Sequence, residues 1–316
     1  MALTSWILEY VEQNTAGSPT DETIKWTHLR NCDIALHLQK TYQEEVGTEC
    51  IKRILYENGY RKRKPAKTIA TGTSPDRSEQ FRIIGFLLAV FMLMEENPII
   101  SIDTKKKEVL GTLTRNEKVL TKGEKAVPAL DHDYSYLATG KAIPHGIYDV
   151  KLNEGYLSIG NSHETAEFVV DNLEWWWESF GKYEYPQATR ILILCDSGGA
   201  NGYRHHLFKK SLQKLAQKIN KKLVIAHYPP YCSKYNPIER RLFAQVHRTI
   251  KETILTDLEQ VKTLMKKTAT KTGLSVEVRI NDKDYPLKQP SKAEEIVEKR
   301  ILRHPTLPKL SYTILP

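Results

Sequence analysis

Three acidic residues stand at positions where an α/β chain gathers functional groups. Asp103 ends the apolar stretch "PIISID", Asp196 follows the apolar run at 191–195, and Glu239 opens the stretch "ERRLF". In open sheets, functional side chains collect at the carboxyl ends of the strands. Three carboxylates that meet repel one another and need a cation, and ligands that are all oxygen select Mg²⁺ or Mn²⁺. The three residues therefore predict a divalent-metal site, provided that the fold brings them together.

Each acid also has a structural interpretation that needs no metal. Asp103 could cap the turn into "TKKK", Asp196 could cap a helix after "SGGANG", and Glu239 could stabilise the positive end of its helix dipole. The neighbouring residues weaken that interpretation for the last two acids. The glycine pair beside Asp196 leaves bare backbone that a phosphate can approach closely. Pro237 fixes the first helical turn and thereby the direction of Glu239.

Predicted strands and helices alternate around the acids. Strands are predicted in "PIISID", in the second half of "TKKKEVLGTL", and in both halves of "GIYDVKLNEGYLSIG", with Gly155 in the turn. The continuous apolar run at 191–195 is typical of a strand buried on both faces. A helix over about 203–220 follows, and "KKLVIAHYPP" then repeats the strand pattern. This order predicts an α/β domain over residues 81–316, a sheet with helices on its faces.

Two further apolar segments are predicted to be helices of the core. In "SHETAEFVVDNLEWWWESF" the apolar residues share one helical stripe, and Ser162 is the predicted N-cap. The run "IIGFLLAVFMLM" at 83–94 has 12 residues and is too short to span a bilayer. We interpret it as a buried helix.

The N-terminal residues predict a DNA-binding helix-turn-helix. From residue 33, "DIALHLQKTYQEEVGTECIKRILYENGYRKRKP" contains two helical patterns separated by a glycine-containing turn. The helix at 48–56 is predicted to enter the major groove, and the basic arm at 61–67 to follow phosphates or the minor groove. Another kind of three-helix bundle would show the same pattern, but like charges in a row suit a phosphate backbone better than a core. The arm begins with Arg61, Lys62, Arg63 and Lys64.

Composition predicts where the domain boundary lies and favours one class of binding partner. A stretch rich in Pro, Thr and Ser predicts a linker over 66–80, after a helix-turn-helix domain over 1–65. Lys and Arg total 47 against 38 Asp and Glu, and this net charge of +9 favours polyanionic partners, although a solvated basic surface would give the same balance. The scattered cysteines form no C-x-x-C pair, which argues against a disulfide framework or a zinc knuckle and fits a reducing cytosol. No secretory leader opens the chain, so no membrane partner is expected.

Several stretches of the second domain resemble a family of transposases. "ISIDTKKKEVLG", "GKAIPHGIYD", "CDSGGANGYR", "HYPPYCSKYNPIERRLF" and "TKTGLSVEVRINDKDYPL", with the ending "YTILP", are similar to blocks of the Rhodopirellula-type DDE transposases of bacterial insertion sequences. The resemblance runs from about residue 30 to the C-terminus. It implies an RNase H-like mixed sheet flanked by helices, preceded by a small all-α helix-turn-helix domain. It also implies that Asp103, Asp196 and Glu239 are the family's catalytic, metal-binding acids.

The same resemblance implies a reaction and its partners. The chain would bind the terminal repeats of its element as double-stranded DNA, cleave a strand with two Mg²⁺ or Mn²⁺ ions, and join the freed 3′-hydroxyl to target DNA. It would act as a homo-oligomer on DNA in the bacterial cytoplasm, associated with the nucleoid. Cations near the acids would neutralise phosphates, although each could be ordinary surface charge. They are Lys105, Lys106, Lys107, Lys234, Arg240 and Arg241.

Two other functions stay open from the sequence. A catalytically silent relic or regulator would keep the helix-turn-helix and lose strand transfer, whereas an RNase H-like nuclease would need no domain that reads element ends. The histidines near the acids, His205, His206 and His227, could suggest zinc, but their spacing matches no common motif. A hydrogen-bonding role is expected for His227.

Overall fold

The computed structural model describes residues 2–18, 21–62, 75–115, 127–287 and 298–316. The chain divides into two units, Met1–Ile69 and Ala70–Pro316. Within the described ranges, no helix is both long and apolar enough to cross a membrane.

The first unit packs helices around a small apolar core. It contains α1 (Ala2–Gln13), α2 (Asn31–Tyr42) and α3 (Thr48–Glu57), so both helices of the predicted helix-turn-helix are present. An antiparallel hairpin of β1 (Thr15–Ser18) and β2 (Asp21–Thr27) lies between α1 and α2, which the all-α description of this domain did not include. The fully buried core residues are Ile7, Val11, Ile34, Leu38 and Ile51.

The second unit is built on one mixed sheet. Its described strands are β3 (Ile99–Thr104), β4 (Glu108–Leu110), β5 (Gly140–Asp149), β6 (Glu154–Gly160), β7 (Arg190–Cys195), β8 (Lys222–His227), β9 (Ser275–Asn281), β10 (Ile301–Arg303) and β11 (Ser311–Ile314). Their order is β10-β11-β8-β7-β3-β5-β6-β9, with β4 paired to β5. β3, β5 and β6 form an antiparallel meander, and β7 and β8 extend it in parallel from β3. This is an RNase H-like sheet, which confirms the expected fold class.

Helices cover both faces of this sheet. They are α4 (Arg77–Leu93), α5 (Ala166–Trp176), α6 (Lys182–Glu184), α7 (His206–Ile219), α8 (Ala244–Ile250) and α9 (Leu258–Lys266), with π-helical turns at Trp177–Gly181 and Glu239–Phe243. On one face, α5 and α7 pack with Trp176 and Phe208 against the sheet. On the other face, α8 and α9 pack with Val246 and Val261 against Leu157 of β6.

Strand β7 is buried on both faces, as its continuous apolar run predicted. Ile191, Ile193 and Cys195 belong to the core beneath α5 and α7, whereas Leu192 and Leu194 belong to the core beneath α4. A strand that packs on two sides cannot shift its register without exposing one apolar set. The place where β7 ends is therefore fixed.

Two predicted turn and cap positions are wrong. Gly155 lies inside β6, and the left-handed residue of the preceding turn is Asn153, with φ of 57°. The cap of α5 is Thr165 instead of Ser162, because the Thr165 hydroxyl accepts a hydrogen bond from the backbone N–H of Phe168 at 3.2 Å.

The helix predicted at 83–94 is present as α4 but is buried on one side only. Ile84 is 2% exposed, whereas Phe86 is 65% and Leu93 is 86% exposed. α4 also begins at Arg77, inside the segment predicted to be a linker.

Candidate active site

Asp103 and Asp196 leave neighbouring strands at the same edge of the sheet. Asp103 is the penultimate residue of β3, and Asp196 directly follows β7. These strands pair in parallel with Ser101 opposite Leu194, so their carboxyl ends point the same way. Parallel pairing of two buried strands thus brings together acids that lie far apart in the sequence.

Glu239 reaches the aspartates from outside the sheet. After β8 the chain passes through the loop at 228–238 and enters the π-helical turn that Glu239 begins and α8 continues. Leu242 and Phe243 of this turn are buried against the sheet, which holds its first residue at the sheet edge. The carboxyl groups of Asp103 and Glu239 lie close enough to shift each other's pKa values. All three predicted acids therefore lie at one place.

Burial raises the pKa values of all three carboxyl groups, and repulsion between carboxylates adds to the shifts of Asp103 and Asp196. Burial raises the pKa of Asp103 to about 8, and the charge of Asp196 adds to this effect. Burial also raises the pKa of Asp196 to about 6, with contributions from Glu239 and Glu164. Burial raises the pKa of Glu239, although the interaction with the Asp103 side chain and the charge of Lys105 oppose the shift. A divalent cation would replace the retained protons and remove the repulsion.

Glu164 is a fourth carboxylate at this edge that the sequence reading missed. Its charge raises the pKa values of both Asp103 and Asp196. Its Oε1 atom lies 3.4 Å from the point where a Cβ atom on Gly199 would stand, in the loop after Asp196. An acidic residue just before a helix is ordinary, so the sequence "SHETAEF" gave no signal that Glu164 belongs to the site.

The residues present fit a hard divalent cation by their chemistry. In the part of the chain that the structure describes, no three His, Cys, Asp or Glu side chains already stand in a metal-holding arrangement. The acids nevertheless act on one another electrostatically, and every donor among them is an oxygen atom. Such a donor set suits Mg²⁺ or Mn²⁺.

His227 supports Asp196 from inside the core, which confirms its expected hydrogen-bonding role. Burial lowers its pKa to about 4, so the ring is neutral near pH 7. Its Nδ1 atom lies 3.0 Å from the Asp196 carbonyl oxygen and its Nε2 atom 3.1 Å from the Tyr312 hydroxyl. Nδ1–H therefore donates to Asp196, and Nε2 accepts from Tyr312. His205 and His206 are exposed where α7 begins.

The basic residues after β3 do not all face solvent. Lys105 is only 8% exposed, and its ammonium group pairs with the Glu108 carboxylate. It is therefore not free to contact DNA phosphates, which corrects its prediction as a DNA-binding residue. Lys106 and Lys107 are exposed, and Lys107 lines a cavity of about 540 Å³ together with Lys141.

The cations around Glu239 are exposed but spread over a wider surface than the sequence suggested. Lys234 lies 5.2 Å from the centre of the Tyr235 ring. Arg240 and Arg241 line a separate cavity of about 330 Å³. The other lining residues of this cavity are Asn153, Gln245, Thr270, Thr272 and Leu274.

The basic arm of the first unit is only partly described. The Arg61 guanidinium lies 3.3 Å from the centre of the Tyr56 ring, and Lys62 is exposed. Arg63 and Lys64 lie outside the described residues.

A family model and several solved structures are similar to this chain. A family model described as the Rhodopirellula transposase DDE domain matches residues 7–316. No curated protein matches the chain. Two of the solved structures are a Mos1 transposase paired-end complex with the left transposon end and the Mos1 strand transfer complex. Each is 13% identical to this chain with a TM-score of 0.45, and each match covers 82% of this chain and 68% of the Mos1 chain. The catalytic domain of Mos1 mariner transposase is 13% identical with a TM-score of 0.40, and the match covers 62% of this chain and 81% of the Mos1 chain.

Proposed function

The chain belongs to the Rhodopirellula-type family of DDE transposases, and from this membership we propose that it binds the ends of an insertion sequence and catalyses metal-dependent cleavage and strand transfer of DNA. The observation that carries the proposal is the meeting of Asp103, Asp196 and Glu239 at one sheet edge with raised carboxyl pKa values. A capping role would account for each acid alone but not for their convergence.

All three acids would bind metal. Asp103 and Asp196 would bind it between the strand ends, and Glu239 would complete the ligand set from its helical turn. When bound, a pair of Mg²⁺ or Mn²⁺ ions supplies Lewis-acid activation of the attacking oxygen and stabilises charge on the phosphate. Attack by water, and then by the freed 3′-hydroxyl, needs no covalent bond to the protein, so the carboxylates act as ligands only.

Exposed cations would hold the DNA. Around the acids these are Lys106, Lys107, Lys234, Arg240 and Arg241. In the first unit, α3 and the arm that begins at Arg61 and Lys62 would read the terminal repeats. Because two element ends are joined to one target, the reaction fits a homo-oligomer on DNA in the bacterial cytoplasm.

The test is a cleavage and strand-transfer assay on DNA that carries the element's own ends, with Mg²⁺ or Mn²⁺. We expect metal-dependent nicking and joining that disappear in Asp196→Ala. Asp257→Ala is a matched control, because Asp257 caps α9 through the backbone N–H of Gln260, away from the candidate site. Binding of the ends without nicking by the unaltered chain would contradict catalysis and indicate a silent DNA-binding relic.

A further inference from the structure

Behind Glu239 lies a buried polar pair that belongs to two distant parts of the chain. Ser101 of β3 and Asn236 of the loop before Glu239 are both 0% exposed. The Ser101 hydroxyl donates to Asn236 Oδ1 and accepts from the backbone N–H of Ile238 at 3.0 Å. Asn236 Nδ2 donates to the carbonyl oxygen of Ile102 at 3.1 Å. The two side chains thus bond to each other and to the backbone of both segments.

These hydrogen bonds connect the segment that carries Asp103 to the segment that carries Glu239. Ser101 lies two residues before Asp103, so both side chains point to the same face of the sheet. Asn236 lies three residues before Glu239, and its carbonyl oxygen accepts from the Glu239 N–H at 3.1 Å. Buried polar groups are costly unless they are paired, so the pairing selects one position of the loop on the strand.

Apolar contacts on the neighbouring strand support the same position. Gly146 pairs with Asp103 in the sheet register. A Cβ atom on Gly146 would lie 2.6 Å from Phe243 Cε1 and 2.9 Å from Ile238 Cδ1. The absence of a side chain opposite Asp103 therefore lets both ends of the Glu239 turn close onto the sheet.

We propose that Ser101 and Asn236 are positioning residues that hold Glu239 against Asp103 before metal binds, so that the third carboxylate of the metal site is preorganised. This inference rests on the proposed function, because it takes the three acids to be metal ligands. Its hydrogen bonds lie wholly within the protein and need no DNA. Groups that orient metal ligands typically change metal affinity by about 10- to 100-fold when they are removed.

The experiment is a calorimetric titration of the full-length chain with Mn²⁺ in the absence of DNA. We expect Ser101→Ala and Asn236→Ala to weaken Mn²⁺ binding by about tenfold or more. Ser101→Thr keeps the hydroxyl and should retain most of the affinity. Hydrogen–deuterium exchange of residues 236–243 in metal-free protein should rise in both alanine variants, because the loop loses its connection to β3.

A buried amide in the bend before β3 supplies the matched control. Asn97 is 8% exposed, and its Oδ1 accepts from the backbone N–H groups of Thr189 and Arg190 at 3.0 and 2.9 Å. Asn97→Ala should lower the melting temperature but leave Mn²⁺ affinity unchanged. A purely structural role for Asn236 would give the same result as this control.

The outcomes separate the inference from the function on which it rests. Unchanged Mn²⁺ affinity in folded Ser101→Ala and Asn236→Ala protein, beside a clear loss in Asp103→Asn, would overturn the positioning role and leave the proposed function standing. Failure of the unaltered chain to bind Mn²⁺ would overturn both. Should Asn236→Ala fail to fold, Ser101→Ala decides the question, since it removes only a hydroxyl.

Discussion

The carboxyl group of Asp103 makes the stability of the metal-free chain depend on pH. Its pKa in the folded chain is about 8, against 3.8 for an ordinary aspartate. Between these values the folded chain keeps a proton that the unfolded chain has released, so the free energy of unfolding falls as pH rises. The buried His145 and His227 act in the opposite direction below pH 6.5, their ordinary pKa. We therefore expect the Tm of metal-free protein, measured by calorimetry with a chelator present, to fall from above pH 6.5 to about pH 8, the pKa of Asp103.

Two comparisons identify the groups responsible for this pH dependence. Asp103→Asn removes the titration and should flatten the dependence of Tm on pH. Mg²⁺ should raise Tm more at about pH 8 than at about pH 6, because it takes the place of the proton that Asp103 loses over this interval. A metal-free Tm that rises between pH 6.5 and about pH 8 would show that the pKa of Asp103 is not raised.

Glu164 adds negative charge to the site, and its removal should weaken metal binding. We expect Glu164→Gln to reduce Mn²⁺ affinity several-fold, because one charge that attracts the cation is lost while the side chain keeps its size. The measurement is the same Mn²⁺ titration. Glu277→Gln is the control, since Glu277 pairs with Lys266 in an exposed part of the sheet. Equal affinity in both variants would remove Glu164 from the site.

The sequence could predict those site residues that directly follow a strand or helix with a clear apolar pattern. Asp196 was predicted because a continuous apolar run stops directly before it, and the structure places it beside Asp103. Glu164 and the Ser101–Asn236 pair could not be predicted in the same way. An acid before a helix and a serine in a strand are common, and their meaning here comes from contacts with residues far away in the chain.

At the scale of elements, the approach of the Glu239 turn to β5 depends on a missing side chain. Gly146→Ala would place a Cβ atom 2.6 Å from Phe243, and overpacking of this kind typically costs about 1–3 kcal/mol. We expect a lower midpoint of urea unfolding and weaker Mn²⁺ binding, because the turn must shift away from Asp103.

A second glycine shows what the same substitution does without crowding. Gly85 lies inside α4, and a Cβ atom there would meet nothing within 4 Å. Gly85→Ala should therefore stabilise the chain by about 0.5–1 kcal/mol, the usual gain for alanine over glycine inside a helix. If Gly146→Ala were equally harmless, the close packing of the turn against β5 would be wrong.

Strands and helices with a strong apolar pattern were predicted from the sequence, whereas elements with a weak pattern were missed. β7 and β8 were predicted because their residues are apolar on both faces, and α7 because its apolar residues repeat at helical spacing. The hairpin of β1 and β2 was missed because its alternation is short, with Ile24 and Trp26 as the large apolar residues among threonines and charged residues. Gly155 was misplaced because glycine signals a turn, whereas here it makes room for Leu242 against β6.

At the scale of the whole molecule, the net charge of +9 predicts DNA binding that weakens with salt. The cavity of Arg240 and Arg241 is the part of this charge that can be tested most directly, because its described lining residues include no carboxylate. We expect Arg240→Gln with Arg241→Gln to reduce the slope of log affinity against log salt by about two, one for each lost phosphate contact. Fluorescence anisotropy with a labelled element end measures the slope.

The control for this pair is a cation whose charge is already compensated. Arg82 pairs with Glu79 on α4 at 2.6 Å, so Arg82→Gln should leave the salt slope nearly unchanged. An unchanged slope in the double variant would exclude this cavity from the DNA path, while the acids could still form the catalytic site.

The division of the chain into Met1–Ile69 and Ala70–Pro316 separates two tasks that the proposed function requires. The second unit holds all three acids and their supporting contacts, so a chain lacking residues 1–69 should keep Mn²⁺ binding and metal-dependent nicking of DNA. It should lose its preference for the element's ends over unrelated DNA, because the predicted helix-turn-helix is gone. The truncated chain carrying Asp196→Ala controls for contaminating nucleases. If the truncated chain kept its preference for the ends, the second unit would itself read the substrate, as a standalone RNase H-like nuclease does, and the first unit would need another role.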